Sequence, residues 1–240
     1  MKIWVVSPVP EAPFGTPMED DILRLDAAAS QKTEVVCHYV DTAPRSIEGE
    51  YEDALAVPGT VAAAIQAEKD GADAIVINCT ADTALDACRE CVSVPVVAPT
   101  IAAVHLAAEL AHKYSVLTFS EGTFVRFEKM AWRWGFWHKF ASVRSVEIPQ
   151  ADIEIGDSQL VDELFNIGKI CVEKDGAHAL VMGCTAFEIV SQPLRDRFTD
   201  AKIPVLVIEP YLVAFRQAEL LVSMGSSHSK LTYPIPSIMH

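Results

Sequence analysis

Short apolar runs alternate with longer amphipathic stretches along the chain. Ala74-Ile75-Val76-Ile77 and Ala179-Leu180-Val181-Met182 are unbroken apolar segments, too short for helices and with no polar alternation. Such runs fit strands buried on both faces of a parallel sheet. Lys2-Ile3-Trp4-Val5-Val6-Ser7 and Lys113-Tyr114-Ser115-Val116-Leu117-Thr118 open two further strands and resemble each other. Val94-Pro95-Val96-Val97 and Ile203-Pro204-Val205-Leu206 are read as strands that follow helices. One helix is predicted at about Asp82–Cys91 and another near Tyr211–Ser223. Strands that alternate with helices predict an α/β protein with parallel sheets. Residues 225–230, Gly-Ser-Ser-His-Ser-Lys, read as a loose tail.

The pattern occurs twice. Residues 68–81, EKDGADAIVINCTA, and residues 173–186, EKDGAHALVMGCTA, are identical at ten of fourteen positions. In each copy a helix ends in Glu-Lys-Asp-Gly, with Gly71 or Gly176 predicted as the left-handed residue that closes it. A strand follows and ends at Cys-Thr-Ala. A long period that occurs twice means a duplicated half rather than a solenoid. The expected architecture is two pseudo-symmetric parallel-sheet α/β halves. Residues 1–100 form the first, with residues 211–240 packing back on it, and residues 101–210 form the second. Ligands of open α/β sheets bind beyond the carboxyl ends of the strands. The active site is therefore expected in a cleft between the halves, with Cys79 and Cys184 approaching from opposite sides.

Two opposed thiols suit one kind of chemistry. Inverting a carbon stereocentre by proton transfer needs a base on one face and an acid on the other. A thiolate serves as the base when a helix N-terminus lowers its pKa. Cys79-Thr80-Ala81-Asp82 is expected to run straight from strand into helix, which would place the thiol at the positive end. The same N–H groups, with the Thr80 and Thr185 hydroxyls, would hold a carboxylate or imide oxygen and the charge developing beside the reacting carbon. A cysteine at a strand end is more commonly packing. Here Cys-Thr-Ala persists in both copies while the remainder of the halves has diverged. Asn78, Ser7, Thr118 and Ser120 are candidate substrate-binding groups, and each could instead satisfy local backbone. The proline-rich segment Ser7–Asp21 reads either as a lid or as a rigid surface loop.

Composition narrows the field. Half of the 240 residues are hydrophobic, ample for a buried core, and the formal charge is −14 from 33 acidic and 19 basic residues. So acidic a surface repels phosphate backbones and anionic membranes, so neither nucleic acid nor membrane is an expected partner. The N-terminal apolar run is too short for an export signal, and a cytoplasmic location is expected. The six cysteines then read as thiols rather than disulfides. Cys88 and Cys91 form a Cys-x-x-Cys pair at a helix end with no second pair, which reads as structural. There is no phosphate-binding glycine loop and no metal-ligand spacing, so no cofactor and no metal are expected. Arg126, Lys129, Arg133, Lys139 and Arg144, interleaved with Trp132, Trp134 and Trp137, suggest a helix face or a contact in a homo-oligomer.

At Cys79-Thr80-Ala81-Asp82-Thr83-Ala84-Leu85-Asp86-Ala87 and at Gly183-Cys184-Thr185 the chain resembles the aspartate/glutamate/hydantoin racemase superfamily. Pro44-Arg45-Ser46-Ile47-Glu48-Gly49-Glu50-Tyr51-Glu52-Asp53-Ala54-Leu55-Ala56-Val57-Pro58 is similar to a pattern of its hydantoin and allantoin racemase branch. The resemblance implies two catalytic cysteines and no cofactor. Other positions look different. Ala98-Pro99-Thr100 stands where the hydantoin type has Gly-Glu, and Thr185 and Phe187 look more like the amino-acid racemases. Those, however, have Asn where this chain has Thr80, and the glutamate racemases have His where this chain has Ala186.

The expected function is thus a cofactor-independent racemase or epimerase, an isomerase acting on a small hydantoin-type compound or acidic amino acid. Cys79 and Cys184 are its expected acid/base pair. A lyase or cis–trans isomerase on the same scaffold, or a non-catalytic small-molecule binder, are the rival readings.

Overall fold

The computed structural model describes residues 1–10, 29–30, 33–146 and 158–239. Beyond residue 10, the proposed lid segment Ser7–Asp21 lies outside the described residues. The chain divides into two compact units, residues 1–99 with 214–240 and residues 100–213. Among the described residues, no helix is long and apolar enough to cross a membrane.

In the first unit, strands β1 (Lys2–Ser7), β2 (Glu34–Tyr39), β3 (Ala74–Ile77) and β4 (Val96–Val97) form a parallel sheet in the order β2-β1-β3-β4. Among the described residues, α1 (Glu50–Lys69) and α2 (Leu85–Cys91) connect its strands. All four residues of β3 are buried, as an unbroken apolar run requires of a central parallel strand. Closing α1, Gly71 takes φ +83°, and the N–H of Ala72 bonds the carbonyl of Ala67 across it at 3.0 Å.

Two expectations need correction in this unit. Helix α2 starts at Leu85 rather than Asp82, and residues 80–84 form a turn. The tail is not loose. Lys230 Nζ donates to the carbonyls of Arg89, Glu90 and Val92 at 2.8, 3.2 and 2.6 Å, supplying a cation and donors to the carbonyl end of α2. Ser227 Oγ donates to the Ser93 carbonyl, and His228 Nε2 accepts the Val96 N–H at 2.9 Å. β4 is an edge strand, and the tail supplies a partner for its backbone.

In the second unit, β5 (Tyr114–Thr118), β6 (Phe140–Ser145), β7 (Ala179–Met182) and β8 (Leu206–Ile208) form a parallel sheet in the order β6-β5-β7-β8, the same topology as the first. Strand β8 lies later than the predicted run at Ile203–Leu206. Helices α3 (Pro99–Leu110), α4 (Phe124–Arg133), α5 (Ser158–Glu173) and α6 (Glu188–Asp200) accompany it. Helix α7 (Pro210–Ser223) begins in this unit and continues into the first. Ala103, Ala107, Tyr114, Val116, Phe127, Ala179 and Val181 belong to one buried cluster. Helix α5 packs closely: a β-carbon on Gly168 would sit 2.7 Å from the Phe198 ring and 2.9 Å from Leu180.

The basic, tryptophan-rich segment is used partly inside this unit. Arg144 grips Asp175 through Nε and Nη2 at 2.7 and 2.8 Å, and Lys139 Nζ donates to the carbonyls of Ala108 and Ala111 at the end of α3. Trp132 and Trp137 stack, with ring centroids 4.5 Å apart and planes 9° from parallel.

Candidate active site

The two repeated Cys-Thr-Ala segments begin just past the carboxyl ends of β3 and β7, the third strands of their sheets in order. In each unit the preceding residue extends the ladder by one bond. Asn78 N–H donates to the Val6 carbonyl at 2.8 Å, and Gly183 N–H to the Leu117 carbonyl at 2.6 Å. The residue after that bond is the cysteine. Parallel register therefore sets Ser7 of β1 beside Asn78, and Thr118 of β5 beside Gly183.

Around Cys79 the structure brings Ser7, Asn78 and Thr80 together. Ser7 is buried, and its Oγ accepts from Asn78 Nδ2 at 3.2 Å. Asn78 Oδ1 is buried with no hydrogen-bond partner, the kind of orphan that marks strain or function. Cys79 is partly exposed, and its Sγ accepts the Ala81 N–H at 3.4 Å. Because α2 begins only at Leu85, it is a turn N–H, not the terminus of α2, that is aimed at the sulfur. The turn is unusual: Asp82 and Ala84 are left-handed at φ 51° and 59°. Thr83, buried within it, donates to Asp53 Oδ1 of α1 at 2.6 Å.

Around Cys184 the local structure differs. Cys184 has extended φ and ψ of −146° and 136° and caps a 3-10 turn, Thr185–Phe187, that runs directly into α6. The helical N-terminus expected at Cys79 is thus found instead at Cys184. Cys184 is 7% exposed, and Thr185 is half-buried in the first position of the turn. Thr118 is fully buried. Thr123 Oγ1 gives its own hydrogen to the Ser120 carbonyl at 2.8 Å, so the 2.9 Å contact between Thr118 and Thr123 is a bond donated by Thr118. Ser120 Oγ accepts the Gly122 N–H at 3.1 Å and caps the turn after β5. The hydroxyl hydrogen of Thr118 and the oxygen of Ser120 thus have local structural uses.

Three further cysteines, Cys88, Cys91 and Cys171, have raised thiols. Burial, reinforced by the neighbouring Cys91, pushes the Cys88 thiol up to about 12. Burial also raises Cys91, helped by Glu90, and raises Cys171 against hydrogen bonds from Ser142 and Ser115. A thiol held protonated in this way is a poor base.

Sequence reasoning missed the left-handed turn and its tie to Asp53. The only signal was indirect: the Asp53-Ala54-Leu55 stretch stood out as a motif without a role.

Comparison with known proteins follows the same lines. Residues 19–218 match the sequence profile of the Asp/Glu/Hydantoin racemase family. The hydantoin racemase of a Pseudomonas species is 30% identical over 237 residues, covering 98% of this chain and 92% of its own. That of Rhizobium meliloti is 33% identical over 196 residues, covering 81% and 79%. The structure of allantoin racemase from Pseudomonas fluorescens aligns with a TM-score of 0.88 at 27% identity, over 99% of this chain and 97% of that one.

Proposed function

Since the chain belongs to the Asp/Glu/hydantoin racemase family and is an isomerase of the racemase type, we propose that it inverts the C5 stereocentre of a 5-substituted hydantoin or of allantoin. In this reading Cys79 and Cys184 exchange the proton and no cofactor takes part. The observation that carries the reading is the recurrence of Cys-Thr-Ala at the same strand end in two sheets of the same topology.

The chemistry follows from the ring. The C5 hydrogen is acidic because the electron pair left behind delocalises into the adjacent carbonyl as an enolate. One cysteine, as thiolate, removes that hydrogen. The other, as thiol, delivers its hydrogen to the opposite face, and the two exchange protonation states for the reverse reaction. Charge gathers on the enolate oxygen, and fixed donors there lower the barrier. Thr80 and Thr185, with turn N–H groups, supply those donors. The amide of Asn78, with one end on Ser7 and its Oδ1 unpartnered, complements a ring that offers both N–H and C=O. Thr118 and Ser120 hold the turn that follows β5 in the second unit.

The test is deuterium exchange from solvent, followed by NMR on single enantiomers of 5-substituted hydantoins, allantoin, aspartate and glutamate. The wild type exchanges and inverts a hydantoin-type substrate. Cys79→Ala and Cys184→Ala each lower inversion by about 10²–10⁴-fold. Inversion of aspartate or glutamate alone would move the substrate to the acidic amino acids. Exchange of no compound by the wild type, or unimpaired inversion by either variant, would overturn the proposal.

A further inference from the structure

Among the described residues only Asp82, Ala84 and Lys202 have positive φ without being glycine, and two of the three lie within five residues of Cys79. Left-handed backbone at such residues is strained and persists only where the surroundings over-determine it. Part of that determination is local. Asp82 N–H donates to the Cys79 carbonyl at 2.9 Å, Leu85 N–H to the Asp82 carbonyl at 3.1 Å, and Cys88 N–H to the Ala84 carbonyl at 2.8 Å.

One further bond comes from another element. Thr83 Oγ1 donates to Asp53 Oδ1 at 2.6 Å. Thr83 is 1% exposed, while Asp53 stands in the first turn of α1, beside Glu50 and Glu52. Those two neighbours already complement the helix dipole there, so dipole complementarity alone does not account for the bond to Thr83. What the turn achieves is specific: it aims the Ala81 N–H at Cys79 Sγ, 3.4 Å away. A hydrogen bond to sulfur favours the thiolate over the thiol.

We propose that Asp53 is a positioning residue for Cys79. Through Thr83 it holds the 80–84 turn in the strained form that points the Ala81 N–H at the sulfur. The inference rests on the assignment of proton transfer to Cys79.

Four variants separate this role from a merely structural one. Thr83→Val is close to isosteric but lacks the hydroxyl, and Asp53→Ala removes the acceptor. Thr83→Ser and Asp53→Asn keep the bond. Two quantities are measured in the full chain: kcat and KM for the compound the wild type racemises, and the rate at which iodoacetamide labels Cys79, read by peptide mass spectrometry. The Val and Ala variants should lower kcat by about tenfold to hundredfold, the cost of a small misplacement in an active site, with KM little changed. They should also slow labelling of Cys79 while labelling of Cys184 stays as it was. The Ser and Asn variants should keep kcat within about threefold of wild type.

Wild-type kcat and labelling in folded Thr83→Val would overturn the proposal. So would faster labelling of Cys79, which would mean the turn merely shields the thiol. If the wild type racemises nothing, the proposed function fails, and the labelling rates still decide the role of Asp53.

Discussion

A β-carbon placed on Gly183 would lie 2.8 Å from the Leu117 carbonyl oxygen and 3.0 Å from Thr118 Cβ and Val116 Cγ1. All three neighbours belong to β5, an inner strand of the parallel sheet, so none can swing aside as a flexible chain end would. At the matching position of the first unit, Asn78 carries a full side chain that reaches Ser7. The two units thus divide the same space differently: a small serine with a large asparagine, against a threonine with no side chain opposite. Gly183→Ala should therefore destabilise the protein by about 1–3 kcal/mol, the usual cost of overpacking. It should also displace Cys184, the next residue. Urea unfolding measures the first effect and the inversion rate the second; an alanine variant with unaltered midpoint and rate would show that the strand end can shift to make room.

Among the elements, the tail on α2 and β4 has a pH dependence with a definite sign. Burial depresses the His228 imidazole, helped by the charges of Arg89 and Lys230 and opposed by the hydrogen bond a charged ring gives the Val96 carbonyl and by Asp86, bringing it to about 4. The unfolded chain takes up this proton near the ordinary histidine value of about 6.5. Between these values the unfolded state binds more protons, so the contribution of His228 is complete above the upper value and shrinks as the pH falls towards the lower one. Wild-type protein should lose more stability than His228→Gln between about pH 7 and about pH 5. Protection of the Val96 amide from hydrogen exchange should fall in parallel. Identical pH dependence in both proteins would mean that the imidazole is not buried on β4.

Such anchoring was hidden in the sequence for a physical reason. Glycine and serine at 225, 226, 227 and 229 report weak local preference, whereas the tail is held by bonds to backbone groups more than a hundred residues away. The start of α2 was hidden for a similar reason, since the turn before it bonds to Asp53, thirty residues away, and contains left-handed residues that propensity disfavours. By contrast, β1, β3, β5 and β7, the parallel class of the sheets and the glycine ends at 71 and 176 were legible, because each follows from local periodicity or a local conformational need. The place of Cys79 and Cys184 just past equivalent strand ends was legible through the repeat. The pairing of Ser7 with Asn78 was not, because it depends on the register between β1 and β3.

At the scale of the whole molecule, duplication has kept topology and let surface chemistry drift. The four tryptophans illustrate this: Trp4 lies in the first unit, while Trp132, Trp134 and Trp137 belong to the second. The stacked pair has an optical consequence. Two indoles 4.5 Å apart and nearly parallel couple their electronic transitions, so the second unit carries a circular-dichroism couplet for which the first, with its single Trp4, has no counterpart pair. Replacing either Trp132 or Trp137 by Phe should abolish the couplet and leave the far-ultraviolet spectrum of the backbone unchanged; a couplet that survives would mean the rings are not stacked in solution. During a melt, the couplet reports one half of the duplicated chain and the far-ultraviolet signal reports both. The loss of the second half can then be followed separately in a single cuvette, with no added dye.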